Sequence, residues 1–234
     1  MSALRARYRQ MAKDSRQNKA CSFPTLFWLF IAGSLMGFVM EGVWHWLRKG
    51  TWGFRVATLW GPFCVIYGVG AVAMYLIAVS VQKKRPLIQF AAFALAGSAV
   101  EYIASLFQEA AFGTVSWDYS HHTINIGGRI SLQMTLIWGV IGMVLMYGIL
   151  PLLLSVFNRM HLSRRTVLCR VAATFMCINL LLTSAALMRW QERVIHASPA
   201  SNAIEAYMDH QWPDERMQKR FPNMEFVSHT EDNH

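Results

Sequence analysis

Long apolar stretches constrain this chain more than any other feature of its sequence. Between residues 20 and 189 only four side chains are acidic, and the other nine acidic residues lie in the two flanking segments. Charged residues make up 15% of the chain, whereas a soluble globular protein carries about 25%. Apolar runs of this length are typical of transmembrane helices. The sequence therefore predicts a polytopic membrane protein and argues against a soluble domain.

Five apolar spans can be placed along the chain, at 23–47, 57–81, 87–112, 130–157 and 167–188. Each has roughly 20 or more residues, which at ~1.5 Å per residue is enough to cross a ~30 Å hydrocarbon core. We therefore expect an all-α polytopic integral membrane helical bundle with about five transmembrane helices. The expected organisation is a basic cytoplasmic segment over 1–22, a transmembrane helical domain over 23–189 and a polar C-terminal tail over 190–234.

Lysine and arginine residues set the predicted orientation. They cluster before the first span and in the connections after the second and fourth spans, which the positive-inside rule places in the cytoplasm together with the N-terminus. The net charge of +9 follows from these clusters, so the expected partner is the lipid bilayer and no nucleic acid is predicted. The sequence contains no Walker A and no GxGxxG pattern, and we predict no cofactor.

The four acidic side chains within the apolar region are the candidate functional residues: Glu41, Glu101, Glu109 and Asp118. A charged side chain at the centre of a transmembrane helix costs on the order of 2.5–3.5 kcal/mol on insertion scales. Side chains that costly are usually kept for a site, a pathway or an internal pair. The function of the chain therefore depends largely on what these acids do together.

The predicted spans bring these acids to one end of the bundle. Glu41 lies roughly 25 Å along the first span and Glu101 roughly 21 Å along the third, and both spans start from the cytoplasmic side. Glu109 follows two turns later, and Asp118 lies in the outer connection. Two arginines, Arg55 and Arg129, belong to outer connections as well. We expect an acidic and arginine-containing polar site near the outer face.

Each of these residues also has a structural interpretation. Glu41 or Glu101 would then pair with Arg55 or Arg129 and lock the helices together. A metal site that uses His45, one turn after Glu41, together with Glu101 and His122, is a further alternative. The sequence contains no strong metal-spacing motif, however, and we predict no metal.

Several short elements resemble a known family. Trp117-Asp118-Tyr119-Ser120, Asn125 to Ile130, Trp60-Gly61-Pro62 with Ile66-Tyr67-Gly68, and Glu101-Tyr102 are similar to motifs of the bacterial CmpB-like family of ABC-transporter type IV membrane proteins. The resemblance extends over roughly residues 25–225 and includes Trp212-Pro213-Asp214 and Phe221-Pro222-Asn223. Two departures stand out, since Val56-Ala57 replaces an Arg-Gly pair and Gly127-Gly128-Arg129 replaces Asn-Gly-Arg.

The resemblance implies a bacterial inner membrane and a site that extends beyond the acids. The expected site residues are Glu41, Arg55, Tyr67, Glu101, Glu109, Trp117, Asp118, Tyr119, Asn125 and Arg129.

Three functions fit these features. The first is a small permease or transport component, which would need a separate ATPase subunit for an ABC mechanism and is small enough to expect a homo-oligomer. The second is a membrane enzyme that acts on a lipid or lipid-linked substrate, with Asp118 ionised and the arginines binding an anionic headgroup. The third is a non-catalytic scaffold whose charges are internal pairs.

Overall fold

The computed structural model describes residues 22–53, 56–159 and 162–227. The basic N-terminal segment before Ser22, Arg55 and the last seven residues of the chain lie outside these described residues. Helices α1 to α6 form the bundle: α1 (Phe23–Lys49), α2 (Val65–Val81), α3 (Pro86–Phe112), α4 (Leu132–Val144), α5 (Leu150–Arg159) and α6 (Leu162–His196). A π-helical turn, Leu145–Ile149, joins α4 to α5 without a break.

The architecture confirms an all-α membrane bundle. Within the described residues, four helical segments are long and apolar enough to cross a membrane, namely α1, α3, the joined α4–α5 segment and α6, and α2 is a shorter apolar helix. Their ends carry local signals. Pro24 and Pro86 start α1 and α3, and Gly50 and Gly113 end these helices in the left-handed conformation that favours glycine. The chain is therefore a multi-pass membrane protein.

Small residues let neighbouring helices approach closely. A Cβ atom built on Gly33 would lie 2.5 Å from the Ala71 Cβ, and one built on Gly97 would lie 2.5 Å from the side chain of Trp138. Lipid tails are as apolar as the side chains, so the hydrophobic effect does little to drive helix association in a membrane. Close van der Waals packing between the helices drives it instead. Glycines therefore allow α1 to pack closely against α2, and α3 against α4. This packing positions the polar side chains of the four helices.

The second predicted span begins later than expected. Helix α2 starts at Val65, and residues 56–64 form an irregular segment instead of a helix. The N–H of Cys64 donates to the carbonyl of Ser34 in the middle of α1 (3.1 Å). The segment therefore turns back alongside the bundle before α2 begins, and Pro62 within it cannot supply a helical N–H.

Polar side chains of α6 satisfy the backbone of this segment. Asn179 accepts from the N–H of Trp60 (3.1 Å) and donates to the Trp60 carbonyl (2.8 Å), while the Thr183 hydroxyl accepts from the N–H of Leu59 (2.9 Å). Non-helical backbone is tolerated at membrane depth only where protein or water satisfies it. Asn179 and Thr183 are buried and meet that requirement.

The C-terminal segment packs on one end of the bundle. It contains α7 (Ala203–Gln211), α8 (Asp214–Arg220) and strand β4 (Glu225–Phe226), which pairs antiparallel with β1 (Thr114–Val115) after α3. A hairpin of β2 (Asn125–Ile126) and β3 (Ile130–Ser131) leads into α4. We call this the loop end of the bundle, and the opposite end, at the turn of residues 82–85, the turn end.

Candidate functional site

Glu101 lies in the middle of α3 and is the most buried acidic side chain in the described part of the bundle, with 4% of its surface exposed. Its Oε1 accepts a hydrogen bond from the Tyr119 hydroxyl (2.8 Å), and its Oε2 accepts one from the Trp138 Nε1–H (2.9 Å). Both donors are neutral groups. The carboxyl group is therefore satisfied in hydrogen bonding, and neither of these two bonds brings a positive charge to it.

Helix packing and a capped start of α4 bring these donors to Glu101. The Ser131 hydroxyl accepts from the N–H of Met134 and caps α4. Gly97 then lets Trp138 approach α3 one turn before Glu101. The hydroxyls of Ser98 and Thr135, 2.7 Å apart, share a hydrogen bond across the same interface.

Glu41 has an aromatic donor of its own. The hydroxyl of Tyr67, near the start of α2, donates to the Oε1 of Glu41 (2.6 Å). The Tyr67 ring packs against Gly37 of α1, and its centroid lies 5.8 Å from that of Trp138. Tyr67 and Trp138 thus connect the two carboxylates, so Glu41 and Glu101 flank a continuous aromatic pair.

Arg129 belongs to a second cluster nearer the loop end. Its guanidinium forms an ion pair with Glu109 and donates to the Ser105 hydroxyl (2.9 Å). The Trp117 Nε1–H donates to the carbonyl of Arg129 (3.1 Å). Glu101 and Ser105 lie on the same buried stripe of α3, so this cluster sits directly above the Glu101 carboxylate along the helix.

The loop over residues 113–131 holds Tyr119 in place through its own backbone. The N–H of Tyr119 donates to the Gly128 carbonyl (2.7 Å), and the N–H of Gly128 donates to the side chain of Asn125 (3.0 Å). Gly127 and Gly128 both have positive φ, at 57° and 67°. A Cβ on Gly128 would also lie 2.5 Å from the Asp118 Oδ1. Both positions need a residue that tolerates positive φ, and position 128 also needs one without a Cβ atom, so glycine fits both.

Asp118 serves the same loop. Its Oδ1 accepts from the hydroxyl (2.6 Å) and the backbone N–H (2.8 Å) of Ser120. The Ser120 hydroxyl bond, with the backbone bond adding to it, lowers the pKa of the exposed Asp118 carboxyl. Asp118 is thus an ionised turn residue at neutral pH, and it acts on the site by shaping the loop that carries Tyr119.

One family model agrees with this chain. The model described as "Putative ABC-transporter type IV" matches residues 28–184, which is more than half of the 234 residues. The chain belongs to this family. The matched part includes the Glu41, Glu101 and Arg129 clusters and the α6 side chains Asn179 and Thr183. The C-terminal segment, with the predicted Trp212-Pro213-Asp214 resemblance, lies outside it.

No curated protein and no solved structure is significantly similar to this chain.

The predicted site residues that the structure describes form two groups. Glu41, Tyr67, Glu101 and Tyr119 join with Trp138 in one polar and aromatic cluster, which we call the carboxylate cluster. A second group, consisting of Glu109, Trp117, Asp118, Asn125 and Arg129, builds the loop end above it. Arg55 lies outside the described residues.

The metal alternative finds no geometric support among the described residues. His45 is bonded through its Nδ1 to the Thr51 carbonyl (2.7 Å). Within the described ranges, no group of three or more His, Cys, Asp or Glu side chains is placed to hold a metal ion.

Sequence reasoning missed Trp138 as a site residue. Trp138 lies within the fourth predicted span, only 5% of its surface is exposed, and its indole N–H donates to Glu101. A signal was present, because small residues on α3 predict a close helix contact that a large partner side chain can fill. Asn179 was missed too, although a lone amide in an apolar span is a recognisable sign of an internal hydrogen-bond role.

Proposed function

We propose that the chain is a small transport component of the membrane, with Glu101 as the carboxylate that takes up a proton or a cation during transport. The observation that carries this proposal is the burial of Glu101 between two neutral donors, Tyr119 and Trp138. An ionisable residue held in this way inside a bundle is typical of proton relays and ion pathways. The family description supports a role in transport.

The alternatives have less support. A lipid-modifying enzyme would use Arg129 and Asp118 on a substrate, but Arg129 is engaged by Glu109 and Ser105, and Asp118 by Ser120. A pure scaffold accounts for the Arg129–Glu109 pair. It gives no reason for an acidic side chain at position 101, because a neutral amide would avoid the cost of a buried charge.

The proposal includes a cellular setting. The basic N-terminus and the Lys83-Lys84-Arg85 turn would be cytoplasmic in a bacterial inner membrane, which places the loop end outside. A bundle of this size would act as a homo-oligomer or with a separate ATPase subunit. Affinity purification from native membranes at native expression level tests this part. A stoichiometric ATPase would identify a permease subunit, whereas a lone protein would remove the ABC mechanism.

Proton flux into liposomes tests the role of Glu101. The purified protein, with any stoichiometric partner, is reconstituted with a pH-sensitive dye inside, and a potassium diffusion potential is imposed. We expect Glu101→Gln to lower the protein-dependent flux at least about tenfold, since the amide cannot exchange a proton at this position. Glu225→Gln, an exposed change in β4, is the matched control.

Thermal unfolding of each variant shows whether a lower proton flux comes from the substitution itself or from an unfolded protein. A folded Glu101→Gln protein with the flux of the unchanged chain, or a chain whose flux equals that of protein-free liposomes, would contradict the proposal.

A further inference from the structure

Arg220, the last residue of α8, is a partly buried positive charge that contacts backbone carbonyls instead of a carboxylate. Its Nε–H donates to the Thr58 carbonyl (3.0 Å), and one Nη2–H donates to the Gly61 carbonyl. Burial lowers the pKa of Arg220, and no acidic side chain contributes to this shift. A guanidinium nevertheless stays charged in proteins. The described residues therefore supply no negative charge to Arg220.

The other partly buried arginines at the loop end differ in this respect. Arg129, Arg189 and Arg193 each form an ion pair with at least one aspartate or glutamate side chain. Buried charges are generally paired, because removal of an ion from water is costly unless an opposite charge compensates it. Among these arginines, Arg220 is the one whose counter-charge has to come from outside the described residues.

The two hydrogen bonds of Arg220 leave one edge of its guanidinium unused. The Nε–H and one Nη2–H lie on the same edge and point to the two carbonyls. The opposite edge, formed by Nη1 and Nη2, has no hydrogen-bond acceptor among the described residues. Two parallel N–H groups on such an edge match two oxygens of a phosphate or a carboxylate. The carbonyls thus orient Arg220 for bidentate binding of an anion.

Arg220 lies where the loop end meets the membrane. The irregular segment that it contacts is held by α6, in which the Thr183 hydroxyl accepts from the N–H of Leu59 (2.9 Å). Thr183 lies roughly 9 Å before Arg189 along α6, and charged side chains resume at Arg189. Gly61 is exposed and Arg220 is partly exposed. The contact between them is therefore at the surface, close to the level of the lipid head groups.

An exposed aromatic surface adjoins this arginine. Trp60 lies between the two residues whose carbonyls Arg220 binds. Its ring stacks on that of Phe175 in α6, with the centroids 6.3 Å apart, and both side chains are exposed. Phe175 lies one turn closer to the turn end than Asn179, which bonds to Trp60. The aromatic surface therefore continues from Arg220 towards the middle of the membrane.

We propose that Arg220 binds the phosphate of an anionic phospholipid in the leaflet at the loop end, with an acyl chain of this lipid along Trp60 and Phe175. The phosphate offers the paired oxygens that the free guanidinium edge requires. The ammonium group of a zwitterionic lipid would find no carboxylate beside Arg220 in the described residues, so the site favours a lipid with net negative charge. The inference does not rest on the proposed function, because it involves neither Glu101 nor transport.

Native mass spectrometry of the purified full chain in detergent tests this lipid site. Dioleoylphosphatidylglycerol is titrated as the anionic lipid, dioleoylphosphatidylcholine as the zwitterionic lipid and glycerol 3-phosphate as a soluble phosphate. We expect phosphatidylglycerol to bind at one site per chain, at least about tenfold more tightly than either of the other two compounds.

Substitution of Arg220 locates the site. Arg220→Gln removes the charge and keeps an amide that can donate to a carbonyl, and it should weaken phosphatidylglycerol binding at least about tenfold. The matched control is Arg216→Gln, which removes the same charge from an exposed position in α8. The Arg216 guanidinium bonds to the Gln211 carbonyl and lies over the Trp212 ring, so this change should alter the affinity less than about twofold.

Thermal unfolding shows whether each variant is folded. If Arg220→Gln does not fold, Arg220→Lys replaces it, since lysine keeps the charge and loses the planar fork, and a weakening of at least about threefold is expected.

Three results would overturn the inference: equal affinity for the two lipids, unchanged affinity in a folded Arg220 variant, or glycerol 3-phosphate binding as tightly as phosphatidylglycerol. The last result would assign the site to a soluble phosphate compound instead of a lipid. None of these results depends on the proton flux of Glu101→Gln, so this inference and the proposed function can fail separately.

Discussion

Glu101 and Glu109 lie two turns apart on α3 and are held by different kinds of partner. Glu101 is buried and bonded to the neutral groups of Tyr119 and Trp138, whereas Glu109 is partly exposed and paired with Arg129. The guanidinium of Arg129 therefore compensates the charge of Glu109 directly. Glu109 therefore stabilises the loop end through its ion pair with Arg129, whereas the hydrogen bonds to Glu101 come from neutral groups.

A double-mutant cycle measures the structural role of the Arg129–Glu109 pair. Arg129→Met and Glu109→Gln should show a coupling free energy of roughly 0.5–3 kcal/mol, because contacting charges that share a network are not additive. Unfolding is followed in detergent by intrinsic fluorescence. The control cycle combines Arg129→Met with Ser80→Ala, an exposed hydroxyl near the turn end of α2, and two residues that share no partner should be additive to within about 0.5 kcal/mol. A coupling free energy between Arg129 and Glu109 no larger than that of the control cycle would contradict the structural role of the pair.

The irregular segment of residues 56–64 is the element that departs most from a simple helical hairpin. It is anchored from two sides, by Asn179 and Thr183 of α6 and by the Arg220 side chain, whose Nε–H donates to the Thr58 carbonyl (3.0 Å). Helix packing alone would leave these backbone groups unsatisfied. The segment therefore depends on side chains more than 100 residues away.

Replacing Asn179 should destabilise this element. Asn179→Ala adds no volume and removes both hydrogen bonds to Trp60, and partly buried groups left without partners cost roughly 1–3 kcal/mol. Thermal unfolding in detergent measures the loss. Ser80→Ala, which removes one exposed hydroxyl bond within α2, should change stability by less than about 0.5 kcal/mol. A melting temperature for Asn179→Ala equal to that of Ser80→Ala would show that the irregular segment does not depend on Asn179.

At the scale of the whole molecule, the C-terminal segment closes the loop end. Asp209 of α7 bonds to Arg189 and Arg193 of α6, and Phe226 packs against Trp190 with ring centroids 4.8 Å apart. Arg189 has only 4% of its side chain exposed, so its charge requires the carboxylates around it. The segment is thereby attached to α6 by charge as well as by apolar contact.

Acid should loosen this attachment. The hydrogen bond from Arg189, with Arg193 adding to it, holds the pKa of Asp209 below its ordinary value of 3.8. Because the folded pKa is the lower one, the contribution of the ionised carboxylate to stability is present above about pH 4 and is lost as the pH falls through the folded pKa. Spin labels at the exposed positions Tyr207 in α7 and Ile126 in β2 report the distance between these two elements by electron paramagnetic resonance. We expect the distribution of this distance to broaden as the pH falls.

Two variants test whether protonation of Asp209 causes this broadening of the distance distribution. We expect Asp209→Asn to broaden the Tyr207–Ile126 distance distribution already at pH 7, as acid does for the unchanged chain. Asp214→Asn, at the more exposed partner of Arg193, is the matched control and should keep a narrow distribution. A narrow distribution for Asp209→Asn would assign the attachment to apolar packing around Trp190 alone.

Much of the fold followed from the sequence, because transfer of a segment into a membrane depends on the residues of that segment alone. The apolar spans, the expensive acids and the glycines at helix ends could each be recognised locally. The start of α2 could not, because Thr58 to Cys64 are apolar enough for a span and their irregular path depends on Asn179 and Arg220.

Only the tertiary structure decided which side chain meets which acid. Trp138 reaches Glu101 across 37 residues of sequence, and Tyr67 reaches Glu41 across 26. Such contacts depend on the rotation and depth of one helix relative to another, and no single segment contains that information. The sequence by itself determined a membrane bundle with four acidic residues in its apolar region, and the packing of the helices determined that one of them, Glu101, is buried without a positive partner among its hydrogen-bond donors.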